Sequence, residues 1–204
     1  MSEQDMETQV NETEEKPSKM KEIMEYVKLI AIVVAVTFFL ETFVIVNAVI
    51  PSASMEPTIM TGDHIFGNRL AYKFGDPERY DIIIFRYPDD ETQLFIKRII
   101  GLPGDTVEFR DGEVYINNSD IPIPDEFCSV QDKTNLDMSR TALTNPFTVP
   151  EDCYFVMGDN RLNSRDSRYW DNPFVKREKI LGEAAFRYWP LNKIGVIHHY
   201  ASAD

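Results

Sequence analysis

Two separated segments hold a serine and a lysine that could together perform nucleophilic catalysis. Ser54 lies in residues 51–63, PSASMEPTIMTGD, and Lys97 lies in residues 95–105, FIKRIIGLPGD. A serine hydroxyl is a weak nucleophile until a base takes its proton. Histidine is the usual base, but the histidines of the chain lie outside these segments. Lys97 is therefore the candidate base, and the pair predicts a hydrolase.

A lysine can act as a base near neutral pH only where its pKa is lowered. The free side chain has a pKa of about 10.4 and is an ammonium ion at pH 7. Burial can lower this pKa by several units, and the neighbours of Lys97 are apolar: Phe95, Ile96, Ile99 and Ile100. The alternative is an ordinary surface lysine on an edge strand, which strand alternation by itself favours.

Ser52 lies two residues before Ser54, on the same side of an extended segment. Its hydroxyl could join the backbone N–H of Ser54 in binding an oxyanion. Pro57 restricts Glu56 and favours a bent backbone, which suits a nucleophile held at a corner. The alternative is a simple turn that carries two small polar residues.

A third segment, residues 158–170, is dense in turn-forming and charged residues, GDNRLNSRDSRYW. Its charges predict structural ion pairs, namely Asp166 with Arg168, and Asp159 with Arg98 or Arg161. Ser164 differs from these, because a hydroxyl can hydrogen-bond a lysine amine and orient it.

Composition argues against several functions. The net charge of -13 is a poor match to phosphate backbones, so no nucleic-acid partner is expected. Cys128 and Cys153 lack metal-type spacing and are interpreted as unpaired thiols, with a disulfide in an oxidising compartment as the alternative. No metal site and no cofactor are predicted.

Residues 29–50 are apolar apart from Glu41 and Asn47, and a helix of this length crosses a hydrocarbon core of ~30 Å. We predict a transmembrane signal anchor over residues 23–50, after a disordered acidic cytoplasmic tail over residues 1–22. The alternatives are a buried core helix and a cleaved signal peptide. An acidic leading region opposes the latter.

The charges beside this segment predict its orientation. Four lysines precede or begin it, at Lys16, Lys19, Lys21 and Lys28, whereas its other end is followed by a neutral stretch. The positive-inside rule therefore predicts a single-pass protein of the cell membrane, with a cytoplasmic N-terminus and residues 51–204 extracytoplasmic.

The remaining sequence favours strands. Runs of β-branched and aromatic residues bounded by turn residues predict strands over residues 81–87, 94–100, 106–110, 113–117, 153–157 and 180–189. Asp111-Gly112 predicts a hairpin. We therefore expect a mainly β fold, in which an N-terminal transmembrane helix precedes an antiparallel β-rich catalytic domain with a small inserted region over residues 106–152.

These segments, in this order, resemble the bacterial type I signal peptidases (leader peptidases), in particular the single-span Gram-positive type. The resemblance implies that Ser54 is the nucleophile, Lys97 the general base and Ser164 the residue that orients the lysine. It implies that Ser52 completes an oxyanion hole with the Ser54 amide. Supporting charges are implied at Asp166, Arg168, Asp159 and Arg98.

The resemblance also implies a substrate. The family cleaves after small residues in an Ala-X-Ala pattern, and motif alignment places the lining of the substrate pockets at Ile50, Met55, Ile84 and Ile96. The implied partners are exported preproteins with signal peptides and the lipid bilayer, and the secretion translocon is left open as a further one.

Three positions depart from the family pattern: Leu162 stands where aspartate is usual, and Asp171 and Tyr80 stand where glycine is common. None removes a proposed catalytic group. Three other functions stay open, namely a peptidase with a narrow clientele, an anchored β domain that binds exported chains without cutting them, and a self-cleaving repressor. The apolar segment and the lack of a DNA-binding region oppose the repressor.

Overall fold

The computed structural model describes residues 19–124, 126–128, 137 and 140–200. The chain divides into two compact units, residues 1–39 and 40–204. Most of helix α1, Lys19–Phe43, belongs to the first unit. No residue of this helix is buried, and its most apolar stretch has a mean hydropathy of 2.2. Its length and composition suit a membrane span.

Helix α1 and the predicted anchor differ at both ends. The helix begins at Lys19, inside the predicted tail, and the rest of that tail lies outside the described residues. It ends at Phe43, and strand β1, Ile45–Val49, follows. The sequence Ile-Val-Asn-Ala-Val is apolar enough for a span, but β-branched residues favour a strand where a partner strand is available, and β2 pairs with β1 along its whole length.

The second unit is built on antiparallel strands, as the sequence predicts. Its remaining strands are β2 His64–Asn68, β3 Ile82–Tyr87, β4 Asp90–Gly101, β5 Thr106–Arg110, β6 Glu113–Ile116, β7 Phe147–Thr148, β8 Cys153–Met157, β9 Val175–Lys176, β10 Ile180–Trp189 and β11 Gly195–Val196. The main sheet has the order β1-β2-β10-β3-β4-β8-β9, with β11 paired to β10. Every recorded pairing is antiparallel.

A smaller sheet of order β6-β5-β7 lies within the stretch predicted as an inserted region. Asp111 and Gly112 join β5 to β6, and both have positive φ, at 53° and 82°. Such angles are those of the two-residue hairpin turn that the Asp-Gly pair predicts. Cys128 and Cys153 do not form a disulfide with each other.

One hydrophobic core connects the strands of the main sheet to the Ser54 turn. It joins residues of β1, β2, β3, β4 and β10 to the turn after β1, and its fully buried members include Met55, Ile59, Ile65 and Ile82. Because Met55 and Ile59 follow Ser54 directly, their burial ties the nucleophile's turn to the sheet.

Candidate active site

Ser54 lies in a single turn of 3-10 helix, Ala53–Met55, and only 7% of its surface is exposed. The chain around this turn closes on itself, since Ile50 N–H donates to Asp63 O at 2.9 Å and Gly62 N–H donates to Ile50 O at 2.8 Å. Ser54 is therefore held between a strand end and a closed loop.

The segment after β8 fixes the same turn from the other side. Asn160 donates its backbone N–H to Ser54 O and its side-chain Nδ2 to Ala53 O, both at 3.1 Å. Gly158 permits this approach, because a Cβ there would collide with the backbone oxygen of Ser54 and with Oγ of Ser164. The two segments are more than a hundred positions apart in the chain and meet at the nucleophile.

Lys97 lies on β4 and reaches the nucleophile. Its Nζ atom is 2.6 Å from Ser54 Oγ and 2.9 Å from the carbonyl oxygen of Ile96, and both are hydrogen bonds. Only 3% of the residue is exposed, because residues 96–101 of β4 are buried on both faces of the strand. The surface-lysine alternative therefore does not hold.

Burial lowers the pKa of Lys97 to about 8, against the opposing charges of Asp166 and Asp159. An amine removed from water loses more hydration in its charged form than in its neutral form. A substantial fraction of Lys97 is thus neutral near pH 8. A neutral amine beside Ser54 has a lone pair that can take the hydroxyl proton.

Ser52 donates its hydroxyl to Ser54 Oγ at 3.3 Å. It lies on the exposed side of the turn, within a cleft of about 570 Å³ that Ser54 and Lys97 also line. Of the four predicted pocket residues, Ile50, Ile84 and Ile96 line this cleft. Met55 does not; it is fully buried beneath the turn.

Two open strand edges border the cleft. Asn47 to Val49 belong to β1, the edge strand of the main sheet, Ile50 to Ser52 follow it, and Gln93 to Lys97 belong to β4. β4 pairs with β8 only from Arg98 onward, so its earlier residues have a recorded strand partner on one side alone within the described chain. Unpaired backbone groups at an edge can bind an extended peptide.

Buried ion pairs surround the site. Arg98 contacts Asp159 through Nε–Oδ1 at 2.8 Å and Nη2–Oδ2 at 2.6 Å, so Asp159 pairs with Arg98. Asp159 also accepts a hydrogen bond from Thr58 Oγ1 at 2.5 Å. This pair connects β4, the strand of Lys97, to the loop that follows Ser54.

Asp166 and Arg168 form the second pair, with Nε–Oδ1 at 2.8 Å and Nη2–Oδ2 at 2.9 Å. Burial would raise the pKa of the Asp166 carboxyl, but Arg168 and the backbone N–H of Gly158 lower it below its usual value. Ser164 is buried beside this pair, and its hydroxyl also helps to lower the pKa of Asp166. No hydrogen bond between Ser164 and Lys97 is recorded within the described residues.

The family to which the chain belongs emerges from comparison with known proteins. Residues 23–189 match the family described as "Signal peptidase, peptidase S26". The match spans most of the 204 residues, including the segments that bring Ser54, Lys97 and Asn160 together. The chain belongs to this signal peptidase family.

Bacterial signal peptidases are similar along most of the chain. A probable signal peptidase I-2 from Synechocystis sp. is 38% identical over 180 residues, which are 85% of this chain and 77% of the relative. A signal peptidase I from Bacillus amyloliquefaciens is 35% identical, with coverages of 88% and 95%. A crystal structure of a signal peptidase I from Enterococcus faecalis V583 is 39% identical, covers 53% of this chain and 97% of that chain, and has a TM-score of 0.44. The resemblance seen in the motifs is confirmed.

The three departures from the signal peptidase pattern have different structural settings. Tyr80 has φ of +75°, a conformation that favours glycine, yet its ring is buried and packs 5.8 Å from Phe127. The packing offsets a backbone cost of about 1–3 kcal/mol. Asp171 donates its N–H to Asp89 in an exposed loop. Leu162 is 74% exposed on the motif loop.

Sequence reasoning missed Asn160 and Thr58 as members of the signal peptidase site. Asn160 stands in the Gly-Asp-Asn-Arg run, so the motif pointed to its segment but not to its partner. Its contact with the Ser54 turn depends on tertiary structure. Thr58 carried no signal, because a threonine after Pro57 is ordinary in a turn.

One group of side chains away from the signal peptidase site has metal-ligand composition: Asp81, Glu183 and His199. Nδ1 of His199 already accepts the N–H of Ile82 at 3.0 Å, and Nε2 lies 2.8 Å from Ala184 O. Both ring nitrogens are thus engaged by backbone, and no lone pair is left for a cation. The cluster attaches the C-terminal segment to β3 and β10.

Proposed function

We propose that this family member is a membrane-bound serine endopeptidase that removes N-terminal signal peptides from exported preproteins. In this proposal it cleaves after Ala-X-Ala sites, with Ser54 as nucleophile and Lys97 as general base, through an acyl-enzyme. The observation that carries the proposal is the 2.6 Å hydrogen bond between Lys97 Nζ and Ser54 Oγ in a buried position on the cleft wall.

The reaction uses Ser54 Oγ as the nucleophile and Lys97 Nζ as the base. Ser54 Oγ attacks the carbonyl carbon of the scissile peptide bond while its proton passes to the neutral amine of Lys97. The resulting ammonium gives that proton to the departing backbone nitrogen, and the signal peptide stays on Ser54 as an ester. A water molecule then gives one proton to Lys97 and attacks the ester carbon, the bond from that carbon to Ser54 Oγ breaks, and the Lys97 ammonium returns the proton to Ser54 Oγ.

Ser52 supplies stabilisation of the charged intermediate. The carbonyl oxygen becomes an oxyanion on attack, and donors at about 2.7–3.1 Å stabilise it. Ser52 Oγ lies beside the nucleophile and is free to turn from Ser54 Oγ toward that oxygen. The backbone N–H of Ser54 is the second donor.

Ser164 orients the base in this proposal, and the buried pairs support the site. The Ser164 hydroxyl is buried beside Asp166, and it can turn to the Lys97 amine once the amine leaves Ser54. Asp166 with Arg168 holds the loop that carries Ser164, and Arg98 with Asp159 holds β4 against the Ser54 turn.

The cleft explains the choice of small residues. Ile50, Ile84 and Ile96 give it an apolar wall, which accepts methyl groups, leaves polar groups without hydrogen-bond partners and excludes bulky groups by lack of space. The open edges of β1 and β4 hold the substrate backbone extended, so that alternate side chains face the wall. Alanine at alternate positions fits this geometry.

The proposed substrates are cut at the cell membrane, so the enzyme is expected there too. In this proposal helix α1 anchors the chain in the cell membrane, and the lysines at its start favour a cytoplasmic N-terminus with residues 51–204 outside. Residues 44–53 are all that separates α1 from Ser54 in the chain. A nucleophile that follows a span so closely suits substrates whose own apolar segment stays in the bilayer, and it allows contact with the translocon.

A cleavage assay tests the proposal. The purified full-length chain in detergent is incubated with a precursor that carries an Ala-X-Ala signal peptide, and mass spectrometry identifies the products. We expect wild type to cut after the second alanine, and folded Ser54→Ala and Lys97→Met to release no product. Lys73→Met, at an exposed lysine, is the matched control and should cleave normally.

Two results would overturn the proposal. A folded wild type that binds the precursor and leaves it intact would indicate an anchored binding module. Cleavage that survives in Lys97→Met would assign the base to another group.

A further inference from the structure

A second cavity, of about 640 Å³, adjoins the catalytic cleft. Asn163 and Arg165 line both, so the two spaces share a wall. The catalytic cleft is mostly apolar, whereas the second cavity is lined by Arg140, Arg161, Arg165 and Arg168. Four arginines around one cavity are unusual in a chain with a net charge of -13.

Two of these arginines present their charge to solvent. Arg168 is buried and pairs with Asp166. Arg140 and Arg165 are exposed, and the structure records no ion pair for either within the described residues. Arg140 lies 4.9 Å from the ring of Tyr169, a contact that leaves its donors open. Asp137 is the one carboxylate recorded on the described lining, so the arginines outnumber the carboxylates there.

Leu162 leaves the positive charge of the arginines undiminished. It lines the cavity and is largely exposed, at the position where the signal peptidase pattern usually has aspartate. A carboxylate at residue 162 would stand among the arginines and neutralise part of their field. The leucine leaves that field unopposed, so the charge of this cavity is a property of this chain's own sequence.

The order of the catalytic cleft and the second cavity along a bound substrate determines which substrate residues lie at the second cavity. The side chains before the scissile bond occupy the apolar wall, and Ser54 attacks at its end. In the proposed complex the substrate then continues toward Asn163 and Arg165, which line both spaces. The residues that follow the scissile bond are the first residues of the mature protein.

We infer that the arginine-lined cavity is a subsite for the start of the mature chain, and that it favours preproteins with acidic side chains there. The inference rests on the proposed function. Arg140 and Arg165 are the specificity-determining residues, and they act by attraction of carboxylates in a partly exposed site. Such attraction is modest and is weakened by salt.

Three peptides test this inference with the full-length chain in detergent. They share one Ala-X-Ala segment and differ only at the second and third residues after the cut, which are Glu-Glu, Gln-Gln or Lys-Lys. We expect kcat/KM to be about fivefold higher for Glu-Glu than for Gln-Gln at low salt, and the difference to shrink in 0.5 M NaCl. The Lys-Lys peptide should be the slowest.

Variants assign the preference to the cavity. Arg140→Gln/Arg165→Gln should bring the Glu-Glu to Gln-Gln ratio close to one, Leu162→Asp should lower it, and Arg165→Glu should favour Lys-Lys. Arg110→Gln, at a partly exposed arginine of β5, is the control and should keep the wild-type ratio. The ratio within each variant removes any general effect on catalysis.

Equal cleavage of all three peptides by wild type would overturn the subsite and leave the proposed function intact. A preference that persists unchanged in the double variant would likewise overturn it. Failure to cleave any of the peptides would overturn the proposed function, and the subsite with it.

Discussion

The burial that lets Lys97 act as a base also lowers the stability of the folded chain. Burial lowers its pKa to about 8 from an ordinary 10.5. The unfolded chain therefore binds a proton more tightly than the folded chain does, and this difference favours unfolding at every pH below the ordinary value. At pH 7 the cost is about 3 kcal/mol, since each unit of pKa corresponds to about 1.4 kcal/mol.

Lys97→Met should therefore be more stable than wild type at pH 7 while it is inactive. The change removes the cost of burying the amine and loses two hydrogen bonds of about 1 kcal/mol each, so we expect a net gain of about 1 kcal/mol. Denaturant unfolding in detergent at pH 7 and pH 9.5 measures it. The gain should shrink at pH 9.5, where the folded amine is already neutral. A variant less stable than wild type at pH 7 would contradict the lowered pKa.

Asn160 is a positioning residue, because it acts on the substrate only through the Ser54 turn. Asn160→Ala removes the hydrogen bond to Ala53 O and keeps the backbone bond to Ser54 O. We expect kcat to fall about 10-fold or more with little change in KM, since small displacements of a nucleophile are costly. Steady-state kinetics check this, with Asn172→Ala as control. A rise in KM at unchanged kcat would assign Asn160 to substrate binding.

At the scale of elements, the site depends on connections between strands that are far apart in the chain. β4 carries Lys97 and Arg98, the turn after β1 carries Ser54, and the loop after β8 carries Asp159 and Asn160. The Arg98–Asp159 pair and its bond from Thr58 join all three. The position of Ser54 relative to Lys97 therefore depends on the contacts among Arg98, Asp159 and Thr58.

Asp159→Asn should destabilise the fold strongly. It leaves the guanidinium of Arg98 buried without a counter-charge, which costs about 3–5 kcal/mol. Glu91→Gln is the matched control, because it breaks the exposed pair with Lys179 and should cost less than about 1 kcal/mol. Thermal unfolding of both variants checks the prediction. Equal, small losses would show that the Arg98–Asp159 junction contributes little.

The strands with runs of β-branched and aromatic residues could be predicted, whereas β2 and the two-residue strands could not. β3, β4, β8 and β10 carry runs of β-branched and aromatic residues, and Asp111-Gly112 marks its own hairpin. β7, β9 and β11 have two residues each, too few for a pattern. β1 was assigned to the anchor because its composition suits either environment, and its pairing with β2 decides the outcome.

The site could be predicted in part. Ser54 and Lys97 stand in dense motifs that resemble a family, and their types define a chemistry. Asn160 and Thr58 were missed because their roles depend on distances across more than a hundred residues of chain, which no local pattern encodes. Met55 was expected at the pocket wall and lies beneath it, since alignment gives a position but not the direction of a side chain.

At the scale of the whole molecule, the chain combines an apolar helix with a β domain whose net charge is negative. The orientation that we propose rests on the lysines around the start of α1. Acidic residues beyond the helix do not determine it, because the rule depends on basic residues near the span.

A protease-protection experiment tests this orientation. The full chain carries a different epitope tag at each end and is expressed in spheroplasts, which are then treated with an external protease. We expect the N-terminal tag to be protected and the C-terminal tag to be lost, and both to be lost after lysis. Protection of the C-terminal tag in intact spheroplasts would place the catalytic domain in the cytoplasm and contradict the proposed location.

The central claim is that Lys97 is the base for Ser54, and a pH–rate profile tests it most directly. kcat/KM for an Ala-X-Ala peptide is measured from pH 6 to pH 10, with circular dichroism to verify that the chain stays folded. Because the neutral amine is the active form, we predict a tenfold rise per pH unit below about 8 and a plateau above it. A flat profile between pH 6 and pH 9 would contradict a lysine base.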